Sequence, residues 1–170
     1  RDSNRYVNAE GDIGWDLIGS PVEGQSISDF VTANSGVIAT SGVYSAVGTY
    51  DNSNDSWENY GSGSAWESGD FELGTGYQMA TTAGATMAFT GSVATSDQTQ
   101  AVQDYSGASG RIWNLVANPY PSYLNANENA DDSNNFLTVN GTTTLHDTYV
   151  AIYGYDADGS GYTIYNNTTA

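Results

Sequence analysis

Apolar and polar residues alternate along this chain in short stretches broken by Gly, Asn, Asp and Ser, and this period of two predicts strands. Trp15 to Ile18 reads as a first strand, ended by Gly19 and stopped by Pro21. Ser26 to Thr32 breaks the pattern. Ser26 with Asp29 three positions on predicts a single capped helical turn. Gly42 to Tyr50 and Trp57 to Tyr60 read as a hairpin, and Gly76 to Ala80 with Thr86 to Thr90 as another, turning at Ala83-Gly84. Gly91 to Thr99 continues as a polar strand. Asn125 to Asn135 has no periodicity and predicts an exposed acidic loop, and Asn140-Gly141 is a tight-turn dipeptide. Asp147 to Tyr155 alternates well: Tyr149, Ala151, Tyr153 and Tyr155 share one face, Val150 and Ile152 the other. No helix of ordinary length is predicted.

Two stretches nearly repeat. Gly14-Trp15-Asp16-Leu17-Ile18-Gly19-Ser20-Pro21 returns, 98 residues on, as Ile112-Trp113-Asn114-Leu115-Val116-Ala117-Asn118-Pro119. The Tyr-rich hairpin around Asp51-Asn52-Ser53-Asn54-Asp55 returns, 105 residues on, around Asp156-Ala157-Asp158-Gly159-Ser160-Gly161. These pairs predict two pseudo-repeats, about 11–105 and about 111–170, within one domain spanning 1–170. The fold class that follows is all-β, an antiparallel β-sandwich of jelly-roll type. A repeat of this kind is an architectural signal and does not point to catalysis.

Composition sharpens this picture. At 170 residues the chain is long enough for a core, and 13 Tyr suit a β-protein whose rings pack while their hydroxyls stay hydrogen-bonded. Three Arg, no Lys and 20 acids give a net charge of −17. Such a surface repels phosphate backbones and anionic lipids, which argues against nucleic-acid partners. Without Lys there is no Schiff-base, P-loop or Lys isopeptide chemistry, and without Cys no disulfide or thiolate site. No apolar run is long enough to span a bilayer, so no membrane insertion is expected. The chain opens at Arg1 without an initiator Met and shows no signal peptide, and is expected to be a piece of something larger.

The motifs have a family likeness. Gly14 to Pro21 followed by Val22-Glu23-Gly24-Gln25-Ser26, then Val47 to Trp57, Gly74-Thr75-Gly76-Tyr77, Thr86 to Gly91, and Trp113 to Ser122 with its Asn-Pro-Tyr-Pro-Ser block, resemble a module of secreted Bacteroidota proteins. That module commonly stands between catalytic or adhesive domains and the C-terminal sorting domain of type IX secretion substrates. The resemblance implies a secreted or cell-surface location and no settled activity. The family pattern closes with a Pro-x-Gln-Gly-Phe-Phe-Val-like strand, and this chain reaches Ala170 before it.

Candidate sites follow. Asp51, Asp55, Asp156 and Asp158 offer hard oxygens at near-alternate spacing, and calcium is the cofactor they would suit. The second loop copies the opening of an EF-hand loop but carries Asn167 where the bidentate acid would stand. The plainer reading is a hairpin turn that uses Asp for local geometry. Trp57, Tyr60, Trp66 and Tyr162 lie beside these polar loops and could stack on sugar rings, with Glu67 hydrogen-bonding hydroxyls. Trp57 and Tyr162, being repeat-related, also read as structural staples, while Trp15 and Trp113 read as core. Glu58, Glu67, Asp70 and Glu72 cluster in sequence, as an acidic chain makes common, and His146 has no second His to work with. The chain is therefore not expected to be an enzyme. The expectation is a non-catalytic extracellular structural or adhesion module whose partners are the other domains of its parent protein. The alternatives are a binding module for a neutral polysaccharide and a subunit that self-assembles by adding a strand at an open sheet edge.

Overall fold

The computed structural model describes residues 2–11, 15–61, 63, 69–105, 112–141, 143–156 and 161–167. It forms two compact units, residues 1–121 and 122–170. The architecture is mostly β, and every pairing between named strands is antiparallel.

The first unit contains β1 (Asp2–Val7), β2 (Asp16–Gly19), α1 (Ile27–Ala33), β3 (Thr40–Ser41), β4 (Tyr44–Asp51), β5 (Ser56–Gly61), β6 (Gly76–Met79) and β7 (Ala85–Thr90). β4 is the hub of a five-stranded sheet. It pairs with β3, β5 and β6, and β6 pairs on with β2. β1 and β7 form a separate two-stranded sheet. α1 begins as its sequence predicts: Ser26 is extended, and its Oγ accepts from the Asp29 N–H at 3.0 Å. Seven residues are too few to hold a helix in water, so packing must hold this one. Its Ile27 and Phe30 are buried. Phe30 lies 4.6 Å from Phe89 and meets Phe71 edge-on at 5.1 Å, and Phe71 meets Tyr77 edge-on at 4.9 Å. Each such side chain contributes about 1.5–3 kcal/mol through burial. Val7, Val22, Val47, Met79 and Met87 complete the centre of the core.

The second hairpin expected from the sequence, β6 with β7, does not form. The chain turns a corner at Thr81, a fully buried residue whose Oγ1 donates to the Val7 and Asn8 carbonyls at 2.9 Å and accepts from the Gly84 N–H at 3.0 Å. β7 is thereby delivered to β1, which pairs with it over six residues. The other edge of β7 is occupied by side chains. Asn34, 5% exposed, accepts from Ala88 N–H at 2.9 Å and donates to the Ala88 carbonyl at 3.0 Å. Gln25 Oε1 accepts from Thr90 N–H at 3.1 Å. The predicted polar strand Gly91 to Thr99 is reduced to one bridge, Ser92 with Glu23. Gly91 makes that approach possible, since a Cβ there would collide with the Glu23 carbonyl.

The second unit contains α2 (Phe136–Asn140), β8 (Ile152–Asp156) and β9 (Gly161–Tyr165). Asn140-Gly141 is not a hairpin turn; it is the end of α2, which Asn135 caps by accepting from Thr138 N–H. The loop expected to be exposed from Asn125 to Asn135 buries two of its asparagines. Asn127 donates to the Asn166 carbonyl at 3.1 Å, and Asn135 donates to the Asp131 carbonyl at 2.7 Å. Only the later part of the alternating run from Asp147 becomes strand, as β8. Among the described residues no helix is long and apolar enough to cross a membrane.

Candidate functional site

The β4–β5 hairpin carries most of the sequence-predicted site residues that can be placed. Tyr50 faces Trp57 and Asp51 faces Ser56, leaving a turn over 52–55 in which Asp55 has a positive φ of 52°. The Asp51 carboxylate is turned onto its own loop. It accepts from Ser53 Oγ at 2.7 Å, Asn54 Nδ2 at 2.6 Å and Ser53 N–H at 2.9 Å. These bonds, Ser53 Oγ first, hold its pKa below the usual carboxylate value. Asp55 accepts from the Tyr50 hydroxyl at 2.6 Å. A cation arriving at Asp51 would have to displace these donors. Among the described residues no three His, Cys, Asp or Glu side chains gather as a metal site. Asp156 ends β8 opposite Gly161, and Asp158 lies outside the described residues.

The predicted aromatic group is divided. Trp57 is 44% exposed, and its ring lies 5.5 Å from that of Tyr50 at an angle of 59°. Tyr60, three positions on, falls on the opposite face of β5 and packs against the core. Trp66 and Glu67 lie outside the described residues. Tyr162 belongs to the second unit, where it faces Tyr155 across β8 and β9 with the rings 5.7 Å apart. The two hairpins share one register. Tyr50 with Trp57 and Asp51 with Ser56 become, 105 residues on, Tyr155 with Tyr162 and Asp156 with Gly161. The two tryptophans of the repeated motif part company: Trp15 packs against the core, whereas Trp113 is 41% exposed and does not join it.

The second motif instead lies along β6. Gly76 N–H donates to the Leu115 carbonyl at 3.0 Å, and Ala117 N–H donates to the Gly74 carbonyl at 2.8 Å. A Cβ on Gly19 would collide with Ala117, the equivalent residue of the other motif, and one on Gly76 would collide with Leu115. Asn114 fixes this segment to the hairpin turn. Its Oδ1 accepts from Gln103 N–H at 2.9 Å and from Asn52 Nδ2 at 3.2 Å, and its Nδ2 donates to the Gln103 carbonyl at 3.0 Å. Asp16, its counterpart in the first motif, accepts from Asn8 Nδ2 at 2.9 Å and from the Asn8 N–H at 2.6 Å.

Sequence reasoning missed a row of side chains beside Trp57. Leu17, Gln78, Gly48 and Asn59 stand opposite one another across β2, β6, β4 and β5. Gln78 Nε2 reaches over Gly48 to donate to Asn59 Oδ1 at 2.9 Å. A Cβ on Gly48 would collide with Asn59, so glycine is what lets the bridge form. The only signal in the sequence was the glycine within a strand pattern, which marks a close approach without naming the partner.

On the other face of the sheet, Thr49, Asp70, Glu72, Thr75 and Tyr77 line a cavity of about 270 Å³. Asp70 and Glu72, close in sequence, both line it. Thr75 Oγ1 donates to Glu72 Oε2 at 3.5 Å. His146 is exposed in the second unit beside Asp147. A scan against protein-family models, a search of curated proteins and a search of solved structures each returned no match for this chain.

Proposed function

We propose that this chain is a non-catalytic β-sandwich module of a larger secreted or cell-surface protein, with a structural and adhesive role. The observation that carries the reading is the pair of hairpins with one register, each presenting an aromatic cross-strand pair at the surface. Trp57 in one and Tyr162 in the other are exposed large apolar side chains, each set against a cross-strand Tyr. Aromatic rings with few rotatable bonds make surface contacts at low entropic cost. The resemblance of the Trp and Asn-Pro-Tyr-Pro-Ser blocks to the Bacteroidota module supports the secreted location, and with it the other domains of the parent protein as partners. The test is attachment. Beads coated with the chain are expected to hold to surfaces coated with polysaccharide or with cell-envelope protein, above beads coated with albumin. Equal attachment on every surface removes the adhesive role.

Assembly by strand addition is a second reading, favoured by β8 and β9, which among the described residues make a sheet of two strands. A two-stranded sheet is marginal in water and gains from a further strand. Sedimentation at rising concentration checks it, and a monomer throughout would count against it.

A further inference from the structure

The face that carries Trp57 has chemistry that exposure alone does not explain. Along β5, Trp57 and Asn59 point the same way; along β4, Gly48 and Tyr50 do. The ring contact between Tyr50 and Trp57 and the bridge between Gln78 and Asn59 fix these four side chains on one surface, with Gly48 as its floor. The bridge uses one N–H of Gln78 Nε2 and one lone pair of Asn59 Oδ1, and so orients both amide planes. It leaves Gln78 Oε1 and Asn59 Nδ2 with no hydrogen-bond partner among the described residues. One acceptor and one donor are thus held at fixed spacing beside two aromatic rings. Both amides are half-buried, so neither is free to swing away into solvent.

We infer that this saddle is a binding subsite for a neutral pyranose residue of a polysaccharide. The inference rests on the adhesive reading above and names its ligand class. Each sugar hydroxyl both donates and accepts, so neighbouring hydroxyls match an oriented amide acceptor and amide donor. The C–H face of the ring suits the exposed indole of Trp57. No charged side chain stands in the row of Leu17, Gln78, Gly48 and Asn59, and a molecule of net charge −17 repels uronic and sulfated chains. The second hairpin supplies an internal contrast. At the positions equivalent to Gly48 and Asn59 it carries Tyr153 and Ile164, so it keeps an aromatic pair without the amide saddle.

The test is affinity electrophoresis of the whole chain through gels containing hydroxyethylcellulose, xyloglucan, mannan or laminarin, with alginate as the anionic control. Retardation by at least one neutral glycan and none by alginate is expected. Gln78→Ala is expected to weaken that retardation tenfold or more, Trp57→Ala to abolish it, and Tyr123→Ala, on an exposed side chain of the second unit, to leave it unchanged. Because Trp57→Ala could disturb the hairpin, the wild-type chain is also titrated with the retarding glycan. The side-chain amide resonances of Asn59 and Gln78 are then expected to shift before others. Retardation that survives Gln78→Ala in a chain of native circular dichroism places the glycan elsewhere and overturns the subsite, while leaving the adhesive role standing. Unmoved Asn59 and Gln78 resonances do the same. No retardation in any neutral gel also overturns it; the bead assay then decides the adhesive role by itself.

Discussion

Tyr77 shows what a single buried polar atom does here. Its side chain is 3% exposed and lies against Phe71, yet its hydroxyl accepts the Glu72 N–H at 2.9 Å. Burial, reinforced by the nearby Glu72 carboxylate, pushes its pKa from 10.0 up to about 12. The folded value is the higher one. The stability it contributes is therefore fully present below pH 10 and is lost as pH rises through about 12. In a titration followed by tyrosinate absorbance, one of the 13 tyrosines is expected to stay neutral until alkaline unfolding begins. Tyr77→Phe should remove that late step. Complete ionisation of all tyrosines in a chain that is still folded would contradict this. At this scale the sequence was a partial guide. It marked Trp15 as core and the Ser26 cap correctly, the cap because its partner is only three residues away. It gave no sign that Asn34, Gln25 and Thr81 are buried, because their partners Ala88, Thr90 and Val7 lie 54, 65 and 74 residues away.

The β4–β5 hairpin is set by its turn. Asp51 gathers Ser53 and Asn54 around its carboxylate, and this depends on its charge. Its folded pKa lies below the ordinary 3.8, so the stabilisation is present above that value and fades as pH falls through the lowered one. Asp51→Asn is expected to lower stability at neutral pH by less than about 1 kcal/mol, since the bonds are open to solvent. Thermal melts of the two proteins should converge on acidification. A gap that persists well below pH 3.8 would show that the charge is not what holds the turn. Elements were more legible than single contacts: strand patterning located β2, β4 and β5, and the likeness to the first hairpin located β8 with β9. The patterning located β6 and β7 as strands too and missed only their partners, because a local turn signal cannot say that β1 will take the edge of β7. Gly141 misled for a related reason, since glycine ends a helix as readily as it turns a hairpin.

At the scale of the whole chain, the core cluster from Val7 to Phe89 belongs to residues 1–121, whereas among the described residues of 122–170 Leu137 is the buried apolar side chain. Few buried apolar contacts mean low local opening energies. Hydrogen exchange of the intact chain is expected to be fastest in the second unit, with α2 and β8 exchanging before β4, β6 and β7. Equal protection across the two would contradict this. The division was hidden from the sequence because the second Trp motif looks like the start of a new repeat, yet Leu115 and Ala117 bond to Gly76 and Gly74 of the first unit.

The free edge of β7 is closed by amide side chains, Asn34 and Gln25, where many proteins would post a lysine. A neutral seal is indifferent to salt and to pH, which suits a chain that has no lysine to spare. Its weakness is chemical ageing. Hydrolysis of the Asn34 amide would turn a donor into a carboxylate oxygen facing the Phe30 and Ala88 carbonyls, with negative charge in a buried place. The joint between α1 and β7 would then loosen by slow covalent wear, long before any change in the solution around it.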